Sequence, residues 1–146
     1  MTISSALVGT PIPEFRVESV SGEHIRQIAL ILRDPNPIHF DLAAVARAGM
    51  GDREINQGGT TMGYIIDMLA AWTGSAAHVT RISCRFRGNV RAGDTVIAGG
   101  EVLHQDGSVT ECAVWADLAT GHVSSTAQPQ SPLPETVRAR DVGPAR

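Results

Sequence analysis

The chain has 146 residues, of which 42% are hydrophobic and 18% charged, a composition that suits one globular domain with its own core and excludes an intrinsically disordered chain. The formal net charge of −3 and the lack of basic stretches interleaved with aromatic residues argue against a nucleic-acid-binding protein. Cys84 and Cys112 have no CxxC spacing, so we expect reduced core residues rather than a disulfide framework or a zinc site.

The first two predicted elements are a short strand and an amphipathic helix. Phe15 and Val17 alternate with charged residues, which predicts a strand that ends near Ser19. Ser21 is a typical N-cap. The apolar residues that follow it at the spacing of one helix face are Ile25, Ile28, Ala29 and Leu32. This stripe predicts a helix that ends near Arg33, just before two prolines.

Two further helices are predicted. Asp41 can cap a short helix that runs through Ala48. A longer helix is expected to begin at the glycine pair 58–59 and to run to about Thr73 before the next glycine. Its apolar residues at helical spacing are Met62, Ile65, Ile66, Leu69 and Trp72. Because apolar residues also occupy its other faces, we expect this helix to be buried nearly all round.

After His78 the apolar period changes from that of a helix to that of a strand. The residues that point to one side are Thr80, Ile82, Cys84 and Phe86. They predict a strand with one buried face. Asp106-Gly107 predicts a hairpin between a second strand, which ends near Gln105, and a third strand over residues 112–118. A last strand is predicted over residues 122–127.

A long buried helix followed by an antiparallel meander of strands indicates the α+β fold class. The simplest way to bury such a helix is to wrap the sheet around it. We predict a single domain over residues 1–128. Residues 129–146 are rich in proline and poor in apolar side chains, so we expect them to form a flexible C-terminal tail.

The most informative segment, residues 33–41, reads RDPNPIHFD. Pro35 and Pro37 fix two φ angles and disfavour helix at the residues before them. Asp34 and His39, five positions apart, therefore lie on a stiffened loop, which suits two groups that must hold one water between them. A proline-rich turn that simply ends a helix explains the same residues.

Residues 34–41, Asp-Pro-Asn-Pro-Ile-His-Phe-Asp, resemble the D-x-N-P-[IL]-H-x-D signature of MaoC-like, (R)-specific enoyl-thioester hydratases and (3R)-hydroxyacyl-thioester dehydratases. The glycine-rich entry to the long helix at residues 58–63 also resembles this family. Residues 85–95 are similar to its R-F-x-x-x-V-x-x-G-D-T pattern. The resemblance extends from about residue 10 to residue 127.

The resemblance implies a single hotdog fold, in which an antiparallel β-sheet wraps a long central helix. Asp34 and His39 match the family's catalytic pair, which orients and deprotonates a water for attack at C3 of the enoyl group and delivers a proton to C2; dehydration is the reverse. Gly58 matches the glycine whose backbone N–H holds the thioester oxygen as it gains charge. The other candidates for oxyanion or substrate binding are Gln57, Gly59 and Asn36.

Gln57 departs from the family, Asn36 has a further expected role, and one family serine has no clear counterpart. The family usually has a histidine before the glycine, and this chain has Gln57; since glutamine also forms hydrogen bonds, we expect the geometry to survive with a changed rate or substrate preference. Asn36 is also expected to cap or brace its loop. A serine that some hydratases carry further into the helix has no clear counterpart at residues 64–67, so that role is left unassigned.

The implied chemistry uses no metal and no redox cofactor. Coenzyme A is favoured over acyl carrier protein as the carrier of the thioester, while fatty, branched and steroidal acyl groups and both reaction directions stay open. The resemblance also implies an assembly, either a homodimer or a heterodimer with another hotdog subunit. Residues 28–32 form an apolar stretch of five, a length that no other stretch exceeds, and residues 1–10 lack a basic start, so we expect no membrane span and a cytoplasmic protein.

Two alternatives to a hydratase or dehydratase remain at this point. A hotdog thioesterase would hydrolyse the thioester and release a thiol, although the spacing of Asp34 and His39 argues against it. A non-catalytic partner subunit of a heteromeric dehydratase is consistent with the departure at Gln57. Retention of the Asp34 and His39 pair argues against that alternative, because an inactive subunit has little need of both groups.

Overall fold

The structure is a computed structural model, which describes residues 7–107, 109–120 and 136–140. Within these ranges the helices are α1 (Gly22–Leu32), α2 (Leu42–Arg47) and α3 (Gly58–Thr73), and short 3-10 turns cover Pro37–His39 and Ala76–His78. The strands are β1 (Pro11–Val17), β2 (Val79–Ile82), β3 (Val96–Asp106), β4 (Val109–Leu118) and β5 (Thr136–Arg140).

These strands form one antiparallel sheet in the order β1-β3-β4-β5-β2. β3 and β4 pair along nearly their whole length, from Val96 opposite Leu118 to Asp106 opposite Val109. The predicted hairpin joins them: Gly107 has a φ of 56°, which glycine adopts without the steric cost that a side chain would add. This long pair lies in the interior of the sheet.

α3 packs against one face of the sheet. Its buried residues are Ile65, Met68 and Leu69. The strand residues in the same core cluster are Ile12, Ala98, Val102, Cys112 and Val114. Removal of this apolar surface from water is the main stabilising contribution to such a fold. The predicted α+β hotdog architecture, a long helix against an antiparallel sheet, is confirmed.

α3 is buried along one face rather than all round. Met62 and Ile66 are only partly buried, and Asp67 is exposed. The prediction of a helix buried nearly all round is therefore wrong for the single chain, because the sheet covers only the side that carries Ile65 and Leu69.

The helix ends lie where their capping residues predict them. At the start of α1, the Ser21 side chain accepts a hydrogen bond from a first-turn N–H at 3.2 Å. Asp41 accepts two such bonds at the start of α2. α3 ends at Gly74, which has a left-handed conformation with φ of 87°. Local hydrogen-bonding chemistry is thus sufficient to set these bounds.

Two strands differ from their predicted bounds. β1 begins at Pro11 rather than near Phe15. Its two prolines have a low strand propensity, so the sequence does not predict this part of the strand. They are tolerated here because β1 lies at an edge of the sheet. The strand predicted through Phe86 ends at Ile82, where its pairing with β5 ends. Cys84 still packs against the core, whereas Phe86 is 57% exposed. The apolar alternation does not reveal how far a partner strand extends.

Part of the segment predicted as a flexible tail is a strand. Residues 136–140 form β5, which pairs with β4 on one side and with β2 on the other, so the tail prediction is wrong for these residues. Val137 and Ala139 alternate with arginines, a short strand signal that the low apolar content of the surrounding segment obscures. The strand predicted at residues 122–127 and the remainder of the tail lie outside the described residues.

Candidate active site

Asp34 is positioned by the end of α1. Arg33 adopts a left-handed conformation (φ 52°, ψ 39°) and donates its N–H to the Leu30 carbonyl, while the Asp34 N–H reaches the Ala29 carbonyl at 2.9 Å. These bonds form a Schellman motif, in which glycine is usual because the left-handed conformation costs other residues about 1–2 kcal/mol. The motif turns the chain out of α1, so Asp34 opens a new loop.

Short-range hydrogen bonds brace this loop. Oδ1 of Asp34 accepts a hydrogen bond from the N–H of Asn36 at 3.0 Å, and Oδ1 of Asn36 accepts one from the N–H of Ile38 at 3.3 Å. Pro37 begins the 3-10 turn that carries His39. The loop therefore holds both predicted catalytic side chains through its own backbone, as the two prolines predict.

His39 is buried and oriented by a backbone carbonyl. Only 6% of its surface is exposed, and its Nδ1 lies 2.6 Å from the carbonyl oxygen of Ile55. Since a carbonyl oxygen can only accept, Nδ1 carries the hydrogen. In the neutral imidazole the lone pair is then on Nε2. Nε2 is the ring atom that faces Asp34.

The two predicted catalytic groups meet through atoms that can exchange a proton. Nε2 of His39 lies 3.3 Å from Oδ2 of Asp34. A neutral imidazole and an ionised carboxylate would both be acceptors here, so the contact calls for a shared proton or a bridging donor such as water. The Asp34 side chain is 32% exposed and that of His39 is 8% exposed. Access to the pair is therefore from the carboxylate side.

Ile55 belongs to an extended stretch, residues 54–57, which we call the anchor segment. The N–H of Ile55 donates to the carbonyl of Ile38 at 3.0 Å, next to His39. The N–H of Asn56 donates to the carbonyl of Val90 at 2.8 Å. The anchor segment thus ties the catalytic loop to the turn that precedes β3.

The anchor segment also sets the distance between the pair and α3. Gly58, the first residue of α3, follows Ile55 by three positions, and three residues of extended chain span at most about 11 Å. Because the carbonyl of Ile55 binds the imidazole of His39, the pair lies near the N-terminus of α3. The anchor segment therefore links the predicted pair to the predicted oxyanion glycine.

The N-terminus of α3 offers backbone N–H groups to a ligand. Gln57 is the N-cap residue, but its side chain makes no capping hydrogen bond. The first-turn N–H groups have no partner within the helix, and the positive end of the helix dipole lies there. A Cβ at Gly58 would lie 3.1 Å from the ring of Phe86, whereas a Cβ at Gly59 would have nothing within 4 Å.

Asp34 also lines an open cleft of about 490 Å³. The other residues that line it are Arg26, Ala29, Leu30, Arg33, Pro35 and Phe40. Leu30 is 79% exposed and Phe40 is 47% exposed, so this wall presents apolar surface to solvent beside the carboxylate. A cleft with apolar walls and a few polar groups is typical of a small-molecule site.

A family comparison covers the elements that carry this site. The model of the MaoC like domain matches residues 6–127, a range that includes the catalytic loop, the anchor segment and α3. The chain belongs to the MaoC-like family. None of the curated proteins matched it.

Solved structures share the fold of this MaoC-like chain. The ChsH1-ChsH2 complex from Mycobacterium tuberculosis matches at 22% identity and a TM-score of 0.70, over 92% of this chain and 94% of that chain. An (R)-hydratase from A. caviae involved in PHA biosynthesis matches at 21% identity and 0.71, over 92% and 95%. A protein described as a MaoC-like dehydratase matches at 23% identity and 0.80, over 97% of this chain but 42% of that one. These identities show a shared fold.

Two predicted substrate-binding residues have structural partners in this MaoC-like chain. Asn36 is exposed and braces its loop through the N–H of Ile38, which agrees with the prediction of a brace. Gln57 is 3% exposed, and its Nε2 donates to the carbonyl of Ile25 in α1 at 3.0 Å. Its Oε1 is buried and has no hydrogen-bond partner among the residues that the structure describes. Contact of either residue with a substrate stays a prediction.

Sequence reasoning missed a polar cluster at the first turns of α3. Asn56 is 6% exposed, and its Nδ2 donates to Oγ1 of Thr61 at 3.0 Å. Burial raises the pKa of Tyr64, and a hydrogen bond with Asn56 partly offsets this rise. No periodicity marks Asn56, although its place directly before the Gln-Gly-Gly entry to α3 was a usable signal.

The Gly-Asp-Thr part of the family pattern has a structural role here. Oδ2 of Asp94 accepts a hydrogen bond from the N–H of Arg91, and Oδ1 accepts one from Nη1 of Arg53, both at 2.8 Å. Gly93 has a φ of 85°. These contacts hold the turn against which the anchor segment lies, so they support the site indirectly.

In the part of the chain that the structure describes, no helix is long and apolar enough to cross a membrane. Among the same residues, no three His, Cys, Asp or Glu side chains form a group that could hold a metal ion.

Proposed function

We propose that this chain is an (R)-specific hydro-lyase, which adds water reversibly to 2-enoyl thioesters and removes it from (3R)-3-hydroxyacyl thioesters. The observation that carries the proposal is the 3.3 Å contact between Nε2 of His39 and Oδ2 of Asp34, in a chain of the MaoC-like family. Proteins of similar fold include one described as an (R)-hydratase and one described as a dehydratase.

In the hydration direction, one water binds beside the pair, within reach of both the imidazole and the carboxylate. Because Nδ1 of His39 is hydrogen-bonded to the carbonyl of Ile55, Nε2 is the ring atom that exchanges protons. As the water oxygen forms a bond to C3, the pair takes up one of its protons and a proton is delivered to C2. The elements of one water are thereby added across the double bond, and no atom is oxidised or reduced overall.

The backbone N–H of Gly58, with Gly59 beside it, is proposed to bind the thioester oxygen. That oxygen gains negative charge when C3 is attacked, and a helix N-terminus stabilises such charge through fixed N–H groups and the helix dipole. The lack of a side-chain cap on α3 keeps these donors available. Because the reaction moves only a proton and a water, the proposal needs neither a metal nor a redox cofactor.

The apolar walls of the cleft beside Asp34, in particular Leu30 and Phe40, suit an acyl chain. Coenzyme A is the proposed carrier, ahead of acyl carrier protein. One protein of similar fold is described as a 3R-hydroxyacyl-ACP dehydratase, so both carriers belong in the substrate panel.

The proposed assembly is a homodimer or a heterodimer with another hotdog subunit. Two of the similar structures are described as complexes, ChsH1-ChsH2 and HadBC. α1 has exposed apolar residues, among them Leu30 and Ile31, whose exposed fractions are 79% and 73%. Their exposure is consistent with burial in an interface between subunits. The mass of the purified protein in solution distinguishes a self-assembled chain from one that awaits a partner.

The function is tested by loss of enoyl-thioester absorbance when the purified protein is mixed with a panel of 2-enoyl-CoA substrates. We expect Asp34→Asn and His39→Ala to lower the rate by about 10²–10⁴-fold, because each removes a group that transfers a proton. Asp41→Asn is the matched control for the first variant, since asparagine caps α2 as well as aspartate does. His24→Ala, at an exposed position of α1, is the control for the second.

Equal rates for the wild-type protein and both catalytic variants would remove the proposed mechanism. Release of a thiol from the substrate without loss of the enoyl group would favour a thioesterase. Activity that appears only after addition of a second hotdog subunit, and that survives both substitutions, would favour the non-catalytic partner.

A further inference from the structure

The buried amide of Gln57 joins α1 to the anchor segment. Its Nε2 lies 3.0 Å from the carbonyl oxygen of Ile25, and only 3% of the residue is exposed. Since that partner can only accept, the nitrogen and not the oxygen of the amide faces α1. This bond links positions 32 residues apart in the chain.

Each end of this link leads to one member of the catalytic pair. On the α1 side, Ile25 lies one turn before Ala29, whose carbonyl accepts the N–H of Asp34 at 2.9 Å. On the other side, Gln57 lies two residues after Ile55, whose carbonyl binds Nδ1 of His39. The carboxylate and the imidazole are therefore held by two elements that the Gln57 amide connects.

The other contacts between α1 and its surroundings are less directional. Ile25 packs with Val20 and Val96, but apolar packing is not directional and leaves rotation and sliding of the helix less restricted. Arg26 forms a hydrogen-bonded ion pair with Glu54 of the anchor segment, in which the Arg26 side chain is 46% exposed and the Glu54 side chain 14% exposed. Because solvent reaches the arginine, this pair is weaker than a fully buried one. The Gln57 bond is the buried, directional connection.

The Oε1 atom of Gln57 gives a second indication. It is buried without a hydrogen-bond partner in the described structure, and an unsatisfied buried acceptor lowers stability. A leucine of similar size would avoid that cost, and the carbonyl of Ile25 would still accept the N–H of Ala29 within α1. Stability alone therefore does not favour glutamine at this position.

We propose that Gln57 is a positioning residue, which sets the carboxylate of Asp34 against Nε2 of His39 by fixing α1 to the anchor segment. The proposal rests on the proposed function for its kinetic consequences, and its structural consequence is independent of any substrate. It differs from the expected role of Gln57 as a substrate ligand, because it acts through Asp34.

The kinetic test is Gln57→Leu, which removes the bond and also the unsatisfied oxygen. We expect the melting temperature to change little, because these two effects offset each other. We expect kcat on a 2-enoyl-CoA to fall by about 10- to 100-fold, as small displacements of catalytic groups cost factors of this order, with little change in KM. Gln57→His keeps a ring N–H that can reach α1 and should restore most of kcat.

Gln27→Leu is the matched control, because Gln27 is an exposed residue of α1 whose amide donates to Glu23 of the same helix; it should leave kcat unchanged. Unchanged kcat in Gln57→Leu would overturn the proposal. A rise in KM with constant kcat would instead show that Gln57 is a substrate ligand. A fall in kcat matched by a large loss of thermal stability, with no rescue by histidine, would assign a purely structural residue.

A substrate-free readout separates this proposal from the proposed function. The nitrogen NMR signal of Nε2 in His39 should move when Asp34 is replaced by asparagine, because the two groups are in contact. In a Gln57→Leu background, Asp34→Asn should shift the Nε2 signal of His39 by a smaller amount. If the protein hydrates no enoyl thioester but this difference is found, the proposed function fails and the positioning role stands. An equal displacement in both backgrounds would overturn the positioning role.

Discussion

At the scale of single residues, the site depends on backbone partners that fix how each side chain can react. The carbonyl of Ile55 decides which nitrogen of His39 carries hydrogen, and it leaves Nε2 to face Asp34. The N–H of Asn36 occupies Oδ1 of Asp34, so Oδ2 is the oxygen that meets the imidazole. Two backbone groups thus select the reacting atoms of the pair.

Gly58 offers a prediction at the same scale. A methyl group there would lie 3.1 Å from the ring of Phe86, which is exposed enough to move aside. We expect Gly58→Ala to change the unfolding free energy by less than about 1 kcal/mol but to lower kcat/KM by more than about 10-fold, because the methyl occupies space next to the N–H that binds the thioester oxygen. Chemical denaturation and substrate kinetics measure the two effects.

The controls for Gly58→Ala separate crowding from direct obstruction. Gly59→Ala should not lower stability, since its Cβ would meet no neighbouring element within 4 Å and alanine is the better helix former. If Gly58→Ala acts by obstruction, the loss of kcat/KM persists when Phe86→Ala is added. Full recovery in that double variant would show that displacement of the ring, and not the oxyanion position, causes the loss.

At the scale of elements, the sequence predicts helices better than strands. Ser21 and Asp41 cap α1 and α2 where expected, because a cap is a local interaction among residues close in sequence. β5 was missed, and the strand predicted through Phe86 extends only to Ile82, because the length of a strand depends on a partner distant in the chain. Propensity carries no information about that partner.

Within the candidate site, too, the local features could be predicted and the contacts between distant residues could not. The prolines and the Asp-Pro-Asn-Pro-Ile-His motif predict the pair, and the structure places Asp34 and His39 in contact. The bond from Gln57 to Ile25 could not be predicted, because it joins positions 32 residues apart in the chain. The left-handed Arg33 was also unforeseen, since glycine is the usual residue at that position of a helix end.

At the scale of the whole molecule, the core cluster around α3 determines the response of stability to alkaline pH. Cys112 in β4 is fully buried, and burial raises the pKa of its thiol from 9.0 to about 11. The folded chain therefore retains a proton that the unfolded chain releases between these values. This contribution to the unfolding free energy is complete below about pH 9 and decreases as the pH rises toward 11.

We expect the free energy of unfolding, measured with urea, to fall more steeply between pH 9 and pH 11 for the wild type than for Cys112→Ala. The alanine variant is the control for other groups that titrate in this range, among them Tyr64, whose pKa is also raised. The slopes are compared rather than the absolute values, because the smaller side chain itself costs stability. Identical slopes would contradict the assignment of this effect to Cys112.

The central claim is that the Asp34 and His39 pair adds water to carbon 3 of an enoyl thioester. The most direct measurement is to run the reaction in water labelled with heavy oxygen and to locate the label in the product by mass spectrometry. We expect one label in a (3R)-hydroxyl group, with the thioester intact, and loss of this labelling in Asp34→Asn and His39→Ala. A label in a released carboxylate, or a labelled hydroxyl formed equally well by both variants, would contradict it.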